Sequence, residues 1–143
     1  MALRFAEMIE ADFAIMHKAR PVRDQARVTE VTGKVRDKIA IVGDDVIMTG
    51  GTLLANTEAL REQGVKGVWV FATHGLFCGG ALERFKTAPI DGIVVTDTVP
   101  IDLIEQPQNM TVLPCAQLLA ETIMNVFADD SVSAIFGGEN QLF

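Results

Sequence analysis

Lys38-Ile39-Ala40-Ile41-Val42-Gly43-Asp44-Asp45-Val46-Ile47-Met48-Thr49-Gly50-Gly51-Thr52-Leu53 is the stretch on which the fold turns. It opens on a short apolar run, the pattern of a strand buried on both faces. Two adjacent carboxylates and a small-residue turn follow, then a helical segment from Leu53 to Gln63 that Gly64 closes. Such a passage suits an anion. Gly50 and Gly51 let backbone N–H groups approach a phosphate, and the unpaired N–H groups of the next helix face it with a positive dipole. Thr49 and Thr52 can add hydroxyl donors. Asp44 and Asp45 would repel a phosphate, so they imply vicinal hydroxyls or a bound divalent cation on the same ligand. A phosphorylated sugar meets both demands. At a turn both carboxylates can reach one ligand; the alternative is that one of them caps the turn.

Outward from this stretch, apolar strands alternate with helices. Towards the N-terminus, residues 2–10 have helical spacing, with Leu3, Phe5, Ala6 and Ile9 on one side. Phe13–Met16 reads as a short buried strand. Pro21 forbids regular helix in the polar run that follows, so the chain to Gly33 is expected to be a long loop or β-arm. Residues 31–38 then lead as strand and turn into the central strand. Towards the C-terminus, Val65–Ala72 is a second apolar strand, Gly80–Lys86 a helix with Leu82 and Phe85 inward, and Ile90–Thr96 a third strand. Pro114 is placed at the first position of a helix running to about Ala128, with Leu118, Leu119, Ile123 and Phe127 on its apolar side. The alternation implies an α/β fold, a mainly parallel sheet flanked by helices and covered on both faces. Ligands of such sheets bind beyond the strands' carboxyl ends, where Asp44-Asp45 and Thr73-His74-Gly75 fall.

With 143 residues, 49 % hydrophobic and 22 % charged, the chain suits one globular domain. It carries no apolar run long enough to span a bilayer and no signal-peptide pattern. Cys78 and Cys115 form no CxxC, and reduced thiols of a cytoplasmic protein are expected. The net charge of −7 disfavours nucleic acid and anionic membrane as partners. Its distribution is uneven. Lys18, Arg20, Arg23, Arg27, Lys34, Arg36 and Lys38 crowd one segment with only Asp24, Glu30 and Asp37 among them. A basic segment on an acidic chain suits a small polyanion; the alternative is a solvated loop with no ligand. Two histidines, His17 and His74, are too few for a metal triad.

Six blocks in order carry a resemblance: Lys18-Ala19-Arg20-Pro21, the central stretch, Ala72-Thr73-His74-Gly75, Val94-Val95-Thr96-Asp97-Thr98-Val99-Pro100, Leu118-Leu119-Ala120-Glu121 and Ser131-Val132-Ser133-Ala134-Ile135-Phe136. From about Ala11 to Phe136 the chain resembles the C-terminal half of ribose-phosphate pyrophosphokinases, which have the type I phosphoribosyltransferase-like fold. The resemblance implies one phosphoribosyltransferase-like domain over residues 1–143, with the N-terminal domain absent. That domain supplies most of the nucleotide pocket and a metal-binding histidine in the family. The strand and pyrophosphate loop expected before residue 1 are absent as well.

The activity the resemblance implies is pyrophosphoryl transfer from ATP to ribose 5-phosphate, giving AMP and phosphoribosyl pyrophosphate for nucleotide biosynthesis. Mg2+ would be the cofactor, and a cytoplasmic homo-oligomer, at least a dimer, the setting. Lys18 and Arg20 correspond to the catalytic cations of a mobile loop, and residues Arg20 to about Arg27 are expected to be mobile without ligand. Asp44, Asp45, Thr49, Gly50, Gly51 and Thr52 form the ribose-phosphate loop, with Asp44 and Asp45 also candidate metal ligands. Ser131 and Ser133 match serines near a regulatory phosphate site; helix-capping serines are the alternative. Gly43 before the carboxylates reads as unremarkable. Met48 departs from the pattern, since relatives carry an acidic residue there. The loss bears on turnover more than on phosphate anchoring, so the chain alone is expected to be inactive. The alternatives are a non-catalytic regulatory homologue binding sugar phosphate or a partner synthetase, and a phosphoribosyltransferase.

Overall fold

The apolar run of the central stretch forms β3 (Ile39–Ile47), and the glycine turn leads from it into α2 (Gly51–Glu62). This computed structural model describes residues 2–22, 25–101 and 106–136, with the side chains of 18–30 and 136 outside the description. Before β3 come α1 (Ala2–Met8), β1 (Ile15–Val22) and β2 (Gln25–Thr32). After α2 come β4 (Gly67–Gly75), α3 (Ala81–Thr87), β5 (Gly92–Thr96), β6 (Met110–Leu113), α4 (Ala116–Phe127) and a 3-10 turn at Val132–Phe136. The chain divides into two compact units, Met1–Val112 and Leu113–Phe143.

In the first unit a four-stranded sheet runs in the order β3-β4-β5-β6. β3 pairs parallel with β4, Ile39 opposite Gly67 and Ile47 opposite Gly75, and β4 pairs parallel with β5. The fold is therefore α/β, as the alternation of elements implied. The core lies on one face: Val42, Val68, Val70, Ala72, Ile93 and Val95 pack with Leu53 and Leu60 of α2 and Ala81 and Phe85 of α3. Leu53, Asn56, Thr57 and Leu60 are the buried stripe of α2, at helical spacing. Thr57 satisfies its buried hydroxyl on the Leu53 carbonyl at 2.9 Å.

Covering both faces of the sheet is the expectation that fails. Ile39, Ile41 and Trp69 occupy the face opposite α2 and α3, and they are 63 %, 49 % and 42 % exposed. Only seven residues long, α1 reaches this face at one place, where Phe5 meets Phe71 with ring centroids 5.0 Å apart. The Phe71 ring lies across Gly43, where an added Cβ would sit 2.3 Å from it. Gly43 is thus a packing requirement, contrary to its unremarkable reading.

The polar run after Met16 is a β-arm: β1 and β2 form an antiparallel ribbon with Ile15 opposite Thr32 and Val22 opposite Gln25. Phe13 and Ile15 are exposed, so the expected buried strand is instead the start of a ribbon that pairs only with itself. The strand β6 has no counterpart in the sequence reading. In the second unit α4 is capped at Cys115, which puts Pro114 one residue outside the cap instead of at the first helical position. Leu119, Ile123 and Phe127 of α4 are exposed. Among the described residues, no helix is long and apolar enough to cross a membrane.

Candidate functional site

The carboxyl ends of β3, β4 and β5 converge with the start of α2, and this edge gathers the polar residues that the strands themselves do not use. The turn from β3 to α2 is built by its neighbours. Leu76 and Phe77 N–H groups donate to the Ile47 carbonyl at 2.9 and 3.1 Å, and Cys78 N–H donates to that of Met48 at 2.8 Å. Arg84 of α3 donates from Nη2 to the Thr49 carbonyl at 2.7 Å. Three successive carbonyls are thereby drawn towards the β4–α3 segment.

Gly50 then turns the chain with φ +72°, a left-handed conformation. The Phe85 ring packs on it so closely that a Cβ would lie 2.1 Å away. Gly51 differs: a Cβ there would meet nothing nearer than Thr49 Oγ1 at 4.0 Å. The first helical hydrogen bond runs from Leu54 N–H to the Gly50 carbonyl at 2.9 Å, so the N–H groups of Gly51, Thr52 and Leu53 precede it and have no helical acceptor. Space above Gly51 and donors beneath that space are what an anion requires.

Asp44 and Asp45 lie within β3 and not beyond it, because the parallel ladder continues to Ile47. This corrects the turn expected for them. Asp44 is half-buried and Asp45 exposed. The two remain coupled through the Asp45 N–H, which donates to Asp44 Oδ1 at 2.9 Å. Hydrogen bonding to the Asp44 side chain, helped by backbone N–H groups and the nearby His74 charge, holds the Asp45 carboxyl below its ordinary value. Met48 follows and is 56 % exposed.

At the end of β4 the register shifts between Ala72 and His74. The Thr73 carbonyl there accepts from the hydroxyls of Thr96 at 2.6 Å and Thr98 at 3.1 Å. His74 Nδ1 lies 2.8 Å from Thr98 Oγ1. Neither threonine was singled out as a site residue from the sequence, although both stand in the Val94–Pro100 block. Arg84 gave no signal either, since its role is a tertiary contact.

Other expected site residues lie elsewhere or outside the description. The backbone of Lys18 and Arg20 belongs to β1, and their side chains are not among those described. In the second unit Ser131 and Ser133 hydroxyls are 2.8 Å apart, and the Ser131 carbonyl accepts from Asn125 Nδ2 at 3.1 Å. Both cysteines are free thiols. Among the described residues no three His, Cys, Asp or Glu side chains form a metal cluster.

The family model of the phosphoribosyl synthetase-associated domain matches residues 6–137. The chain belongs to that family. It is 39 % identical over 138 residues to a ribose-phosphate pyrophosphokinase of Bordetella pertussis, covering 94 % of this chain and 44 % of that protein. It is 40 % identical over 132 residues to a ribose-phosphate pyrophosphokinase of Caldanaerobacter subterraneus, covering 92 % and 42 %. The crystal structure of a Mycobacterium smegmatis phosphoribosylpyrophosphate synthetase superposes with a TM-score of 0.78 at 36 % identity, over 88 % of this chain and 40 % of that one. This member of the family thus spans less than half the length of these relatives.

Proposed function

We propose that the chain is the ribose-phosphate-binding part of a ribose-phosphate diphosphokinase, its 143 residues acting as one phosphoribosyltransferase-like domain of that enzyme. One observation carries the reading. The open space above Gly51, over unpartnered helix donors, lies at the same sheet edge as the Asp44–Asp45 pair, in a chain about 40 % identical to proteins named for this chemistry. The 5-phosphate binds Thr49–Thr52 through backbone donors and the two threonine hydroxyls. Asp44 and Asp45 accept from the sugar hydroxyls, directly or through Mg2+.

Their donor chemistry suits that ion: carboxylate oxygens are what a hard cation takes, and two of them leave the remaining positions to water and ligand oxygens. When bound, Mg2+ neutralises phosphate charge. The chain's own work is positional. It holds the sugar by its phosphate and hydroxyls so that the 1-hydroxyl can attack the β-phosphorus of ATP, with AMP leaving and phosphoribosyl pyrophosphate formed. Lys18 and Arg20 are the cations proposed to stabilise the transferring group, and Ser131 and Ser133 a regulatory phosphate site. The setting proposed is a cytoplasmic homo-oligomer.

An exposed methionine where relatives carry an acid favours a second reading, a regulatory homologue that binds sugar phosphate without turning it over. Both readings predict ribose 5-phosphate binding, which isothermal calorimetry tests. Gly51→Val fills the open space without touching the fold and should weaken binding at least about tenfold. Equal affinity in the variant removes the assignment. Magnesium-dependent AMP release from ATP and ribose 5-phosphate separates the two readings.

A further inference from the structure

The network at the end of β4 has a proton count that fixes the state of its histidine. The Thr73 carbonyl can only accept, so Thr96 Oγ1, 2.6 Å from it, spends its one proton there. Thr98 Oγ1 also contacts the Thr73 carbonyl at 3.1 Å and the Thr96 hydroxyl at 2.9 Å, and both contacts call on the Thr98 proton. Thr98 Oγ1 is left to accept, and its remaining neighbour, His74 Nδ1 at 2.8 Å, must donate. The neutral imidazole assigned by this network therefore carries its proton on Nδ1 and a bare lone pair on Nε2. Among the described residues Nε2 has no hydrogen-bond partner.

The same network decides where the ring stands. The register shift at Thr73 breaks the β4–β5 ladder, a bulge of the kind that re-aims a side chain. His74 is opposite Val46 and Ala72 opposite Asp44, so His74 and Asp44 share one face of the sheet as diagonal neighbours. Asp45, adjoining both, feels the histidine's charge. Half-buried and tethered through Nδ1, the ring has few orientations open to it.

We infer that His74 is a ligand-contacting residue whose Nε2 accepts a hydrogen bond from one of two vicinal sugar hydroxyls that Asp44 and Asp45 also bind. Resting on the ribose-phosphate reading above, this deepens it. Three acceptor groups side by side and no donor among them fit a ligand edge that is all donors. A vicinal diol is such an edge, and a second phosphate or carboxylate is not. His74 thereby makes the site selective for a sugar with both hydroxyls.

Two substitutions separate this role from a merely structural one. His74→Asn keeps a donor near the Nδ1 position for Thr98 and removes the Nε2 acceptor; His74→Gln places an amide at the Nε2 position. Calorimetry on the full chain would compare ribose 5-phosphate with its 2-deoxy and 3-deoxy analogues, with circular dichroism confirming the fold. Wild type should bind ribose 5-phosphate about tenfold more tightly than one of the two analogues. His74→Asn should lose about that tenfold on ribose 5-phosphate and bind the same analogue equally well, and His74→Gln should recover part of the loss. Wild-type affinity and unchanged discrimination in folded His74→Asn overturn the inference and leave the ribose-phosphate reading standing. Should His74→Asn not fold, unchanged affinity and discrimination across wild type and His74→Gln support it, and loss in His74→Gln overturns it. Absence of any ribose 5-phosphate binding by wild type overturns both.

Discussion

The two ends of the parallel sheet handle their charges in opposite ways. At the amino end, Arg61 of α2 donates to the Pro89 and Lys66 carbonyls at 3.0 and 3.1 Å and to Asp91 Oδ2 at 2.6 Å. The same Asp91 oxygen also accepts from Val68 N–H at 2.6 Å. Donors and acceptors of both signs meet there and satisfy one another. At the carboxyl end, Asp44, Asp45 and His74 crowd acceptors together, while the first turn of α2 holds donors with no helical acceptor. Charge at one end closes the structure, and charge at the other is left for something outside the chain. A polar cluster that balances itself is structural; one with a surplus of a single kind is a binding site.

The largest effect expected from breaking this division falls on the carboxyl end's own scaffold. Gly50→Ala places a Cβ against Phe85 and forces a left-handed conformation on a residue that resists it. The conformational term is about 1–2 kcal/mol and overpacking about 1–3 kcal/mol. Thermal denaturation should show the loss, and an unchanged melting temperature would mean that Phe85 does not hold the turn. The contrast with Gly51→Val, which should cost affinity and not stability, tests whether adjacent glycines serve different ends.

Next in size is Asp91→Ala. It leaves the Val68 N–H and the Arg61 guanidinium without their shared acceptor, a loss of about 1–3 kcal/mol. Because Arg61 and Asp91 are partly exposed, the lower part of that range is expected. Ribose 5-phosphate affinity should not change once the protein is folded. A drop in affinity matching that of a carboxyl-end variant would erase the distinction between the two ends.

Much of this arrangement was legible in the sequence. The run Ile39–Val42, the glycine pair and the spacing of Leu53, Thr57 and Leu60 specify strand, turn and helix through local rules that tertiary context did not override. The carboxylate pair was legible as chemistry, but its place inside the strand was not, since nothing local shows that the ladder runs on to Ile47. Gly43 and Gly50 look alike in sequence, yet each is required by an aromatic ring from a different element, Phe71 and Phe85. The Thr96–Thr98–His74 network depends on a register shift between strands, which no single-strand pattern encodes. Pro114 was misplaced by one residue because proline is tolerated both just before a helix and at its first position. Four residues long, β6 is too short for alternation to announce it.

The smallest expected effect concerns acid, and it sharpens the contrast at a single carboxylate. Asp45 is held below its ordinary value of 3.8 by its hydrogen bond to the Asp44 side chain first, then by backbone N–H groups and the His74 charge. A carboxyl with a depressed folded value contributes stability that is present above its unfolded value and lost as pH falls through the folded one. Asp45→Asn should therefore melt slightly below wild type near neutral pH, with the difference shrinking only below pH 3.8. The group is exposed, so the difference in melting temperature should be small, well under that of Asp91→Ala. Ligand affinity should respond far more than stability, because the exposed carboxylate faces the sugar and not the core. A carboxyl NMR titration of Asp45 with its midpoint above the ordinary value would contradict the hydrogen-bonded pair. A variant that lost stability without losing affinity would move Asp45 to the structural side of the comparison, beside Asp91.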